Sequence, residues 1–260
     1  MMGLLDVVTS SEKRRNVLLL LHTGPKSWDE IKDTLDVTST GMLPQIKILI
    51  NHDLVTKENG IYSLTSIGHV ITNFLVPFNT IIYTFDNTRD YFLNHDFSVL
   101  PISFQHNFGE VNSVKIDNIH TAEIFLPHKE FLENVSRSKT IAGIFPVIYP
   151  SYPILLLDRA KEGTEIIFIT TSPTFTKMKN EFPNEIKQFL DQKNFKIYVS
   201  DDDIRFVCIA TDDCLWLSFF TKNGAYDPAT QLISKSQSSR QWGEKLANYF
   251  IHKSLEITVL

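Results

Sequence analysis

The chain has 260 residues, 43% of them hydrophobic and 21% charged, with a formal net charge of −5. That length and composition exclude a disordered or low-complexity protein and leave room for two domains of ordinary size. The acidic balance excludes a uniformly basic nucleic-acid binder: residues 1–70 hold seven Lys or Arg against eight Asp or Glu, so DNA affinity would need a local basic face.

Ser10 to His22 reads as a first helix with Val17, Leu18, Leu20 and Leu21 inward, ended by Thr23-Gly24-Pro25. Lys13, Arg14 and Arg15 lie in its first turn, either aimed at phosphates or forming a solvated face. After Ser27, a suitable N-cap, Trp28, Ile31 and Leu35 recur at helical spacing. A polar turn, Val37 to Thr40, precedes a second apolar face of Leu43, Ile46, Leu49 and Ile50, on a helix over about Ser39 to Asp53. Pro44 suits only a first turn, which predicts a start nearer Gly41–Met42. Residues 54–57 and 61–64 flank Glu58-Asn59-Gly60 and predict a tight hairpin. Helix, turn, helix, hairpin is the winged helix-turn-helix order, whose second helix lies in the DNA major groove. The expected DNA-contacting residues are Thr38, Ser39, Thr40, Met42, Gln45 and Lys47 on that helix. Lys13, Arg14 and Arg15 join them on the backbone, and Lys57 and Asn59 at the wing.

This assigns residues 1–64 to a winged helix-turn-helix domain. Residues 65–112 follow as a helical linker, apolar from Ile67 to Leu93, broken by Pro77 and suited to pairing with a second copy. Residues 113–260 alternate helix and strand, predicting an α/β regulatory domain with a mostly parallel central sheet, to which the late strand pairs add antiparallel hairpins. Its expected helices cover Ile119 to Arg137, Ser151 to Glu162, the region from Ser172 to Lys193 and Ser238 to Ser254. Its expected strands cover residues 140–147, 165–170, 195–199, 204–211 and 214–220.

Four segments together carry a family resemblance: TSTGMLPQIKILINHDLV, GIYSLTSIGHVI, FDNTRDYFLNHDFSVLP and LSFFTKNGAYDPATQLISKSQSSRQWGEKLANYFIHKS. In their order the chain resembles winged-helix transcriptional regulators of methanogenic archaea, the group related to the filament-growth and methanogenesis regulator. There an ArsR-like DNA-binding domain precedes a regulatory domain similar to phospholipase-D-like effector domains. The resemblance implies a homodimeric regulator of double-stranded DNA whose C-terminal domain senses a small molecule.

Phospholipase D chemistry requires His-x-Lys-x4-Asp. The nearest pieces, His128-Lys129-Glu130 and His252-Lys253-Ser254, lack the intervening residue, so no catalytic residues and no enzyme activity are expected. There is no Gly-rich phosphate loop and no Gly-x-Ser-x-Gly elbow, and no cofactor is expected. Cys208 and Cys214 lie in apolar runs and read as buried residues of a reduced cytoplasmic protein. His22, His52 and His69 are scattered, and Asp201-Asp202-Asp203 reads as an acidic turn, so no metal site is expected. No apolar run reaches the roughly 20 residues of a membrane helix, and the start of the chain lacks the order of a secretory signal. An effector pocket is placed at the loops after two strands, at Tyr149, Tyr152, Asn223, Tyr226 and Asp227; ordinary turns with tyrosine packing explain the same residues. Two rival readings are a winged helix that binds protein and a cryptic phosphodiester hydrolase.

Overall fold

Serine side-chain caps start the second and third helices of the chain, seen in a computed structural model that describes residues 3–118 and 129–259. A short α1 (Leu4–Thr9) leads into α2 (Glu12–His22), whose N-cap Ser11 accepts a bond from the Arg14 backbone N–H. A two-residue strand β1 (Lys26–Ser27) precedes α3 (Trp28–Leu35), which begins in a capping box. Ser27 Oγ accepts from Glu30 N at 3.2 Å while Ser27 N donates to the Glu30 carboxylate at 2.7 Å. The Ser27 backbone N–H, and after it the Ser27 side chain, hold the Glu30 carboxyl below the usual glutamate range. α3 stops at Asp36, which sits in the left-handed region at φ 48°.

The next helix, α4 (Ser39–Asn51), starts earlier than Pro44 suggests. The N–H groups of Gly41 and Met42 both bond the Thr38 carbonyl, at 3.2 and 3.0 Å, closing a helical turn before the proline is reached. Pro44 is therefore interior and withholds a donor from the Thr40 carbonyl, a position that costs about 3 kcal/mol in an ordinary helix. Strands β2 (Val55–Glu58) and β3 (Ile61–Leu64) form the wing hairpin, with Glu58 opposite Ile61. The two loop residues, Asn59 at φ 50° and Gly60 at φ 84°, supply the paired positive φ of a type I′ turn. β1 pairs antiparallel with β3, giving the order β1-β3-β2. Val17, Leu18, Leu21, Ile31, Ile46 and Leu49 are at the centre of the core.

Helix α5 (Ser66–Asn87) passes through Pro77 unbroken, where the sequence predicts an interruption. Contacts divide the chain into two units, Met1–Asn79 and Thr80–Leu260. In the second, α6 (Arg89–Asn94), α7 (Ile102–His106) and two single turns fill residues 89–110, and Leu100, Phe108 and Val111 are buried in a core. An eight-stranded sheet follows, built from β4 (Lys115–Asn118), β5 (Thr140–Phe145), β6 (Glu165–Thr171), β7 (Phe195–Ser200), β8 (Phe206–Thr211), β9 (Leu215–Phe219), β10 (Thr230–Ser234) and β11 (Leu255–Ile257). Its order is β11-β7-β6-β5-β8-β9-β10-β4. Among the described residues the parallel pairs are β5–β6 and β6–β7, neighbours joined by helical crossovers: α9 (Tyr152–Lys161), then α10 (Ser172–Glu181) with α11 (Pro183–Asp191). The sheet is thus mostly antiparallel, not mostly parallel: besides the hairpin expected of the late strands, β8–β9 with its three-residue turn, the pairs β5–β8, β9–β10, β10–β4 and β7–β11 also run antiparallel. α9, α10, α11 and α8 (Lys129–Arg137) share one core with Phe145, Phe168 and Trp216. α12 (Gln237–Ile251) shares the other with Phe206 and Phe219, through Trp242, Leu246 and Phe250. Of the helix expected over Ile119 to Arg137, residues 119–128 lie outside the described residues.

Candidate nucleic-acid interface and effector pocket

The inward side of α4 is set by Met42, Ile46 and Leu49, each 1% exposed or less. Opposite them, Ser39, Leu43, Lys47 and Asn51 are all exposed at four-residue intervals, with Thr40 and Pro44 alongside. This row is the solvent face that a groove would meet. Two expected readers are not on it. Met42 is inward because it follows the spacing of Ile46 and Leu49. Gln45 is half-buried on the flank, its Oε1 accepting from Arg14 Nη1 at 2.8 Å.

Arg14 is likewise not a phosphate contact in this structure. It is 5% exposed. Its Nε donates to the Val7 carbonyl at 2.6 Å and its Nη2 to the Asp6 carbonyl and Ser10 Oγ, both at 3.1 Å. The guanidinium clasps α1 against α2 and α4, a use for which its fork of donors is suited. Sequence periodicity missed this because α1 itself was not anticipated. Its neighbour Arg15 is half-buried. Lys13 is exposed, with Nζ 3.5 Å from the Gly41 carbonyl oxygen, which places an ammonium beside the first turn of α4. Thr38, the N-cap, makes no side-chain bond to the helix, and its hydroxyl meets that of Thr40 at 3.3 Å. At the wing, Lys57 and Asn59 are exposed, the Lys57 ammonium lying 4.9 Å from the centre of the Tyr62 ring. Lys13, Lys47 and Lys57 are the exposed cations among the expected contacts.

In the second unit, Tyr149, Tyr152, Tyr226 and Asp227 do converge, around a cavity of ≈ 30 Å³ that Phe131 and Trp216 also line. That volume admits a water or two. The Tyr149 and Tyr226 hydroxyls are 3.3 Å apart, and burial raises the pKa values of Tyr149, Tyr152 and Tyr226, so the phenols stay neutral. The Trp216 indole N–H is buried without a hydrogen-bond partner among the described residues. Asn223 does not line the cavity; its Oδ1 accepts from Ala225 N at 3.2 Å and is tied into the 221–225 turn.

Asp227 has a partner the sequence did not suggest. Its Oδ2 faces His95 Nε2 at 3.0 Å, across 132 residues of chain, and His95 Nδ1 faces the Tyr91 carbonyl at 2.8 Å. Tyr91 stacks on the imidazole with centroids 3.8 Å apart, and its hydroxyl oxygen accepts from the Phe219 backbone N–H in β9 at 2.8 Å. Burial alone would raise the Asp227 pKa, but bonds from Thr230, Ala229 and His95 outweigh it and hold the carboxyl below the usual aspartate range.

The remaining candidate chemistry is dispersed. His252 is exposed at the end of α12, Nδ1 bonding the Asn248 carbonyl, while His128 lies outside the described residues. Asp201 accepts from Ser172, Asp202 pairs with Lys253 and Asp203 with Arg205, so the three carboxylates of the turn bind separate partners. Among the described residues no three His, Cys, Asp or Glu side chains are grouped to hold a metal. Cys208 and Cys214 are buried, and burial pushes both thiols up to about 12. No described helix is long and apolar enough to cross a membrane.

Comparison with known proteins places the chain. Among solved structures, the archaeal chromatin protein TrmBL2, reported to show a novel mode of DNA binding, aligns with a TM-score of 0.45 at 10% identity, covering 94% of each chain. NucT from Helicobacter pylori aligns with a TM-score of 0.42 at 10% identity, covering 56% of this chain and 100% of that one. The phospholipase D family member Nuc from Salmonella typhimurium aligns with a TM-score of 0.39 at 10% identity, covering 56% and 99%. Methanogenesis regulatory protein FilR1 of Methanothrix harundinacea (strain 6Ac) is 22% identical over 255 residues, covering 96% of this chain. The chain spans 57% of the length of that relative. Residues 3–83 match the family described as methanogenesis regulatory protein FilR1, N-terminal domain, and residues 124–253, half of the chain, match its middle domain. The chain belongs to the methanogenesis regulatory protein FilR1 family.

Proposed function

We propose that this protein is a homodimeric transcriptional regulator that binds double-stranded DNA sequence-specifically through residues 1–64, under the control of a small molecule held by residues 113–260. The observation that carries the reading is the solvent row of α4 in its winged-helix setting. Ser39, Thr40, Lys47 and Asn51 offer hydroxyls, an ammonium and an amide on one exposed face. Lys13 beside the start of α4 and Lys57 and Asn59 at the wing meet the phosphate backbone or a neighbouring groove. Of the 65–112 linker, α5 is the dimerisation segment, while residues from Tyr91 to Val111 contribute to the core of the second unit. On α5, Ile67, Val70, Phe74 and Phe78 recur at helical spacing and are 53, 59, 75 and 57% exposed, an apolar stripe that a second copy would cover. The regulator acts by binding and carries no catalytic step. Tyr149, Tyr152, Tyr226 and Asp227 are the effector-facing residues. A bound effector would widen their small cavity and shift the DNA-binding equilibrium by its differential affinity for the two arrangements.

The test is binding of the full chain to duplex from its own upstream region, against a scrambled duplex, across a salt series. Preferential binding that weakens steeply with salt, and weakens further in Lys47→Ala, is the expected result. Equal binding of both duplexes at every salt concentration would sink the sequence-specific reading. Salt-insensitive capture of neither duplex would move the α4 row to a protein partner.

A further inference from the structure

We infer that Leu43 and Pro44 of α4 pack on thymine C5-methyl groups in the major groove, so that the protein selects A·T pairs by apolar contact and not by an amide. This rests on the DNA-binding reading above and narrows it to a specificity rule. Three observations carry it.

The first is which side chains reach out. Leu43 is 40% exposed and stands in the same four-residue row as Ser39 and Lys47, with exposed Pro44 next to it. A lone exposed leucine is common on protein surfaces. An adjacent Leu-Pro pair midway along the face expected to enter a groove is a continuous apolar patch. The one apolar feature of a major groove is the thymine methyl.

The second is that Gln45 is already engaged. Reading adenine with an amide needs the carbonyl oxygen to accept from N6 while the NH2 donates to N7. Arg14 Nη1 donates to that oxygen at 2.8 Å, and the same guanidinium is bonded to Val7, Asp6 and Ser10. Gln45 is held on the flank of α4, and its release would also loosen α1. The remaining exposed amide of α4, Asn51, is its last residue, two turns beyond Leu43. The half of α4 that begins the helix therefore offers hydroxyls and apolar carbon.

The third is Pro44 itself. It is interior to α4 and exposed, so it gives up a helix bond at a surface position. A residue that breaks a local rule on an open face marks a place where the surface has another use. Its ring stiffens the patch and presents carbon where a longer side chain would present a flexible tip.

The experiment selects preferred duplexes from a random pool with the full-length protein, then measures Kd on the winning site with thymine replaced by deoxyuridine, one position at a time. Deoxyuridine keeps every hydrogen-bonding group and lacks only the methyl. We expect A·T pairs to be enriched and at least one substitution to weaken binding about fourfold, the equivalent of about 0.8 kcal/mol for one methyl. In Leu43→Ala combined with Pro44→Ala that penalty should vanish while the salt dependence is kept. Pro44→Ala restores a helix donor, so a thermal melt at or above that of the parent keeps misfolding out of the result. Sequence preference with equal affinity for thymine and deoxyuridine duplexes overturns the inference and leaves the DNA-binding reading standing. A penalty that survives in the double variant overturns it equally. Absence of any duplex preference removes the sequence-specific reading and the inference together.

Discussion

Arg14 and Asp227 show two ways in which a charged side chain is held by this fold. Arg14 is buried, and its donors reach the carbonyls of Asp6 and Val7, Ser10 Oγ and Gln45 Oε1. Removing it strands buried acceptors, for which the cost is about 1–3 kcal/mol. Arg14→Ala should therefore lower stability by about 2–3 kcal/mol, read as a lower denaturant midpoint, and Arg14→Lys should recover less than half, because an ammonium lacks the fork. A midpoint unchanged in Arg14→Ala would mean the clasp contributes nothing. Asp227 is a pH matter. Its folded pKa is depressed, so its contribution to stability is fully present above the ordinary aspartate value of 3.8 and is lost as pH falls through the lower folded value. Asp227→Asn should remove that part of the acid limb, so the stability difference between parent and variant should shrink as pH drops below about 4. A difference constant from pH 7 to pH 2 would show that the depressed ionisation is not linked to folding.

At the scale of elements, the first turn of α5 is fitted to the loop before the wing. A Cβ built on Gly68 would lie 2.0 Å from the Leu54 carbonyl oxygen, and Leu54 N in turn bonds the Leu49 carbonyl at the end of α4. Backbone this close has no flexible tip to move aside. Gly68→Ala should cost about 1–3 kcal/mol as an overpacking change, although alanine is the better helix former. Thermal melts decide the sign: a rise in Tm would show that α5 shifts freely away from Leu54. The wing is the opposite case. Its Asn59-Gly60 turn is determined by two residues alone, and its register Glu58 to Ile61 follows from the loop length.

For the whole molecule, the formal charge of −5 and the exposed cations of the proposed interface set a numerical expectation. Lys13, Lys47 and Lys57 give three phosphate-reaching groups per subunit. The slope of log Kobs against log salt is about −0.9 for each phosphate neutralised, so about −3 for one subunit and about −5 for a dimer on two half-sites. Titrations from low to moderate salt measure it, and sedimentation at the same concentrations reports the number of copies. A slope near zero with intact binding would mean that the lysines point away from the backbone.

Much of the first unit was legible in the sequence because its signals are local. Ser27 and Glu30 cap α3 three residues apart, the apolar spacing 3-4 marks each helix, and Asn59-Gly60 specifies its turn, so a few neighbouring residues suffice for each. In the C-terminal half the helices and central strands were legible for the same reason, while β4, β10 and β11 were not: they run three to five residues and are recognised by their partners. Strand direction was legible where a short connection makes a hairpin, as at β8–β9, and not for strands such as β5 and β8 whose connection returns from elsewhere in the sheet. The tertiary structure alone decided which expected site residues meet. It turned Met42 inward, gave Gln45 to Arg14, raised Leu43 and Pro44 onto the open face of α4, and brought His95 to Asp227 across 132 residues. Periodicity locates the faces of a helix to within about one residue. Whether a flanking side chain points to solvent depends on what packs beside it, and for α4 that neighbour was an arginine from another helix.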